Sequence, residues 1–209
     1  MKKLMWFMLG IALMLAVTSQ AGTAPLHQAA SSAPPQSEDK TAPSYDMKAQ
    51  AALDLQQMQQ KFTSLAEAIP PEKYNWRPSD GVRSVGELFL HTAAASFNFP
   101  PLMGTAAAAG FDGKNFEKSI TDKAKIVDWL NKSFAYSINS VQSMTNADFA
   151  KLLPKLGPQA NAGDVVYLMV VHDHEMLGQA IAYARSIGVV PPWTVAAQKA
   201  QKQKQTDKD

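Results

Sequence analysis

The stretch 163–192, GDVVYLMVVHDHEMLGQAIAYARSIGVVPP, constrains this chain most. Val166, Met169, Val170, Leu177, Ile181 and Ala184 recur at helical spacing, so most of it reads as one long amphipathic helix. Gly188 followed by Pro191 and Pro192 supplies its stop signal. Two of the chain's four histidines, His172 and His174, sit in its middle. An imidazole in the apolar centre of a helix needs a partner, and a metal is one such partner. Residues four apart share a helix face, whereas residues two apart point nearly opposite ways. His172 and His174 therefore cannot both chelate one ion from a regular helix. A site built here takes His172, with His91 reaching it across the core.

Three further helices precede this one. The first is expected over 46–68, with Leu53, Leu55, Met58, Phe62, Leu65 and Ile69 as its buried stripe and Pro70-Pro71 as its stop. The second starts near Val85, where Ser84 and Glu87 have capping-box spacing, and ends at the segment of Phe97, Phe99, Pro100 and Pro101. Ser84 is accordingly a helix cap and not a nucleophile. The third is expected over 122–144, with Ile126, Trp129, Leu130, Phe134, Ile138 and Val141 inward. Residues 104–118 and 146–162 read as connections, and Asn161 as the N-cap of the fourth helix. With no convincing strand and no internal repeat, the expected class is all-α, a four-helix bundle over 46–193. Residues 194–209 form a polar, Lys- and Gln-rich tail.

Residues 1–21 have the layout of a secretory signal peptide: Lys2 and Lys3, an apolar run over 4–17, then Ser19 and Ala21. The run is short for a membrane span of ~20 residues, so cleavage after Ala21 is expected, with no stable membrane insertion afterwards. Residues 22–45 are rich in Pro, Ser, Ala and Gln and read as a disordered linker; His27 there is a solvated bystander. The expected location is periplasmic or secreted. Loss of Lys2 and Lys3 from 20 basic residues balances the 18 acidic ones, so nucleic-acid binding lacks its electrostatic footprint. The absence of cysteine removes disulfides, thiolate ligands and a cysteine nucleophile.

The segments NWRPSDGVRSVGELFLHTA and VVHDHEMLGQAIAYARSIGVVPP resemble the two signature regions of the DinB-like (DinB/YfiT) superfamily, in order and spacing over roughly 47–193. The resemblance implies a down-up-up-down four-helix bundle. It also implies a divalent metal, often zinc or nickel, held by three histidines. One comes from the second helix and two from the fourth as His-x-x-x-His. Carried over, these positions are His91, His172 and position 176, where this chain has Met176. A thioether is a soft, weak ligand, poor for zinc or nickel. Glu175 could supply an oxygen or orient an imidazole, and His174 would join only through a π-bulge.

Three arrangements of the histidines stay open. His91 and His172 are hydrogen-bonded core residues, or they hold a metal completed by Glu175, Met176 or water, or a site recruits His174. Three functions stay open beside them. One is a metal-dependent thiol S-transferase of the kind some relatives represent, its catalytic residues unassigned beyond Glu175 as a base. Another is a non-catalytic module holding a small ligand, with Trp76, Phe89, Met103, Met169 and Met176 lining the pocket. The last is a structural protein acting through its surface as a homodimer.

Overall fold

The computed structural model describes residues 46–207, so the expected signal peptide (1–21) and the whole of the expected linker (22–45) lie outside the described residues. Seven α-helices and no strand occur among the described residues. They are α1 (Met47–Ala68), α2 (Val85–Leu102), α3 (Phe116–Ser119), α4 (Lys123–Ser143), α5 (Asn146–Phe149), α6 (Ala162–Ser186) and α7 (Pro192–Thr206). Four of these are long and share one core: α1 and α2 each pack against both α4 and α6.

Side chains from the start of each long helix fix its first turn. Asp46, Asp122, Ser84 and Asn161 each accept from a backbone N–H three residues on. Ser84 with Glu87, and Asn161 with Asp164, complete reciprocal capping boxes. The first N–H groups of α2 are also taken up, because Val85 and Gly86 donate to the carbonyls of Trp76 and Tyr74 at 2.9 Å. The loop 74–84 is thereby pinned to the entry of α2. At the far end of α6, Gly188 adopts φ 82°, a left-handed conformation that costs glycine little and ends the helix.

The core stripe of α1 is Ala52, Leu55, Met58, Phe62, Leu65, Ala66 and Ile69. Leu53 is not part of it; at 53% exposure it faces outward, one residue out of phase with Ala52. The prolines of α2 also depart from expectation. Pro100 and Pro101 lie inside the helix, and Met103 and Gly104 donate back to their carbonyls to close the last turn. The expected connections hold short helices, α3 and α5, and the polar tail carries α7, which packs on α1.

The C-terminal carbonyls of α1 are satisfied from elsewhere in the chain. Pro70 has no N–H to offer Ala66, and the Tyr74 hydroxyl donates to that carbonyl instead, at 2.7 Å. Lys123 Nζ, entering from the start of α4, donates to the carbonyls of Glu67 and Ile69 at 2.7 and 2.8 Å. Burial, with the nearby Glu67 charge adding to it, pushes the Tyr74 phenol well above its ordinary 10.0. Folding thus holds the phenol neutral. As pH rises past about 10 the unfolded chain releases this proton while the folded chain retains it, so stability falls. Tyr74→Phe is expected to cost about 1–2 kcal/mol at neutral pH by orphaning the Ala66 carbonyl. That gap should narrow above pH about 10, where only wild type carries the alkaline penalty. Urea denaturation at both pH values measures it, and a gap that stays constant or widens contradicts the assignment.

Candidate functional site

α2 and α6 carry the two imidazoles toward each other. His91 on α2 is 8% exposed, and its Nε2 lies 3.4 Å from Nε2 of His172 on α6. The ring centroids are 5.3 Å apart with the planes at 56°. Phe99, two turns beyond His91 on α2, meets the His172 ring edge-on at 5.7 Å. The pair therefore lies between two helices, walled on one side by an aromatic ring.

Each imidazole has a carboxylate on its Nδ1 side. Glu117 Oε1 lies 2.7 Å from His91 Nδ1, and Arg83 Nε donates to the other oxygen at 2.8 Å. The preceding residue anchors Glu117. Phe116 is buried and packs edge-on against Phe111 and Trp129, at 5.1 and 5.3 Å. Arg83 comes from the residue just before the Ser84 cap, so the capping box that starts α2 also aims this guanidinium. On the opposite side, Asp173 Oδ1 lies 3.6 Å from His172 Nδ1, just beyond hydrogen-bond range. Asp173 is fully buried. Both its oxygens, and His172 Nδ1, have no hydrogen-bond partner among the described residues.

The electrostatics of the two carboxylates differ in sign. Burial alone would raise Glu117, but hydrogen bonds from His91 and Arg83 outweigh it and bring its pKa from 4.5 down to about 2. Glu117 is thus ionised and can only accept, so the hydrogen on His91 sits on Nδ1. For Asp173, burial dominates and pushes the carboxyl up, against a smaller downward pull from His172 and His174.

The remaining candidate residues, Met176 apart, are dispersed. Met176 is 8% exposed and lies one helical turn beyond His172. Glu175 is exposed, so the oxygen beside the imidazoles comes from Glu117 and Asp173 instead. His174 turns away, with its side chain 49% exposed and Nε2 3.6 Å from Asp54 of α1. No π-bulge carries it back, because α6 is continuous α-helix over its whole span. Phe89 and Met169 belong to the closed core, and Met103 and Met176 are buried with them. Trp76 packs edge-on against Tyr183 of α6 at 5.6 Å. These residues do not line the cleft that opens beside Glu117, which is bounded by Tyr74, Arg77, Glu87, Lys118 and Ile126. At about 60 Å³ that cleft has room for a few waters. Sites for organic ligands usually start at about 300 Å³.

A family model described as DinB superfamily matches residues 54–180, more than half of the 209 residues. The chain belongs to the DinB superfamily. The match begins within α1 and ends within α6, so it takes in the first signature segment, the second as far as residue 180, and all of α2, α3, α4 and α5. Among curated proteins, no sequence matches. The three-histidine pattern that the DinB-like resemblance implies is not intact in this member. No group of three or more His, Cys, Asp or Glu suited to a metal occurs among the described residues.

Because Glu117 is depressed, its contribution to stability is present above pH about 4.5 and is lost as pH falls toward 2. The stability difference between wild type and Glu117→Gln should shrink steadily as pH falls from about 4.5 toward 2. Chemical denaturation across that range tests the ion pair. A difference that does not change with pH would mean that Glu117 is not held ionised by His91 and Arg83.

Proposed function

We propose that this DinB-superfamily protein is a four-helix bundle of down-up-up-down type that holds a metal ion between α2 and α6 through Nε2 of His91 and of His172. The helix directions are supported by cross-contacts. Lys48 reaches the Met144 carbonyl while Lys123 reaches those of Glu67 and Ile69, so α1 and α4 run in opposite senses. Trp76 meets Tyr183 while Phe99 meets His172, so α2 and α6 do likewise.

The 3.4 Å separation of the two Nε2 atoms carries the metal reading. Hydrogen bonds to nitrogen donors are usually ~2.7–3.2 Å long, so this distance is poor for a direct imidazole pair. Two imidazoles on one ion, at metal–nitrogen distances of ~2.0–2.1 Å and tetrahedral to trigonal angles, bring their nitrogens to about 3.3–3.6 Å. The carboxylates behind both rings support the same reading. A metal-bound imidazole generally donates its other N–H to an oxygen, which fixes the tautomer and raises ligand basicity. Glu117 already stands in that relation to His91, and Asp173 stands close to it with His172. The bound ion would act as a Lewis acid toward a small donor at an open position.

Equilibrium dialysis of the full chain against zinc, nickel and copper(I) tests this. His91→Ala and His172→Ala should each weaken the bound metal by at least about tenfold. Binding that is unchanged in both variants would place any metal elsewhere. Asp173 provides a second test with opposite signs. An unpartnered buried carboxyl is destabilising, so Asp173→Leu should raise the stability of the metal-free chain by about 1–2 kcal/mol. The same change should weaken metal binding by about 10–100-fold through His172. If stability and affinity fall together, Asp173 supports the fold and does not act through His172 alone.

A further inference from the structure

The His91–His172 centre supplies two nitrogen donors, and the third donor decides which cation it holds; the inference therefore rests on that centre. The oxygen donors nearby stand elsewhere: Glu117 and Asp173 are both on the Nδ1 sides of the rings, away from the facing Nε2 atoms. Glu175 is exposed, and His174 faces Asp54. The chain has no cysteine. What α6 does present one turn beyond His172, on the same row and buried, is Met176.

Two imidazoles and a thioether are three neutral donors. Thioether sulfur binds zinc and nickel weakly, whereas it suits copper(I). Charge points the same way. A divalent ion on neutral donors brings a net +2 into a largely apolar interior, and a monovalent ion brings half of that. The compensating charge at hand is also small. Glu117 already accepts from Arg83 as well as from His91.

We propose that His91, His172 and Met176 form a copper(I) site, with the thioether setting selectivity for copper(I) over zinc and nickel. Met176→Leu conserves volume and should leave the fold intact, which circular dichroism and Tm verify. In competition with a chromophoric copper(I) chelator under anaerobic reducing conditions, this variant of the full chain should lose at least about tenfold in copper(I) affinity. Its zinc affinity, measured with a competing dye, should stay within about threefold of wild type. Met176→His should instead tighten zinc by at least about tenfold. X-ray absorption of the copper(I)-loaded wild type should show a sulfur neighbour that Met176→Leu lacks. Copper(I) affinity that survives Met176→Leu, while His91→Ala and His172→Ala abolish it, overturns the thioether assignment and leaves the two-imidazole centre standing. Affinities for both metals that are indifferent to all three positions overturn the centre and the copper assignment together.

Discussion

Glu117 accepts from His91 Nδ1 at 2.7 Å and from Arg83 at 2.8 Å, and the chemistry of the site depends on this contact. An ionised carboxylate has no hydrogen to give, so the imidazole hydrogen must sit on Nδ1. The ring is thereby fixed with Nε2 facing α6, where His172 waits at 3.4 Å. The contact is assembled from separate pieces of local chemistry. The capping box at Ser84 starts α2 and brings Arg83 to its base. Phe116, wedged among aromatic rings, brings Glu117 alongside. A helix start and a hydrophobic anchor thus converge on one imidazole.

The α6 side of the pair is built at a cost to stability. Asp173 occupies a core position between Met169 and Met176, and it lacks a hydrogen-bond partner among the described residues. An apolar residue of similar size would stabilise the fold more. Such a group makes sense where function, and not packing, selects it, and its nearest polar neighbour is the outer nitrogen of His172. The two flanking carboxylates are complementary: one is held ionised by a guanidinium and an imidazole, the other is disfavoured as an anion by burial.

Much of this architecture is legible in the sequence, and the gaps have physical causes. Caps and apolar periodicity mark the long helices closely, because Ser84, Asp122 and Asn161 act locally. Helical phase separates His172 from His174, and the fold puts the latter near α1. Leu53 misleads because an isolated apolar side chain beside a true stripe resembles part of it. Pro100 and Pro101 read as a stop, yet the last turn of α2 tolerates them because their carbonyls still accept from Met103 and Gly104. Glu117 leaves no signal, since it lies in a link of small and polar residues and acquires its role only through tertiary contact. Asp173 does leave one. Its spacing from Met169 and Met176 puts it on the buried stripe, where a carboxylate is anomalous, but the histidines on either side mask it.

Nitrogen-15 spectra of the imidazoles in the full chain, recorded without and then with metal, address the central claim most directly. Long-range couplings should assign the hydrogen of His91 to Nδ1. Addition of copper(I) should shift Nε2 of His91 and of His172 together while His174 stays in place. A His91 ring carrying its hydrogen on Nε2 alone, or a metal response confined to one of the two rings, would contradict the account.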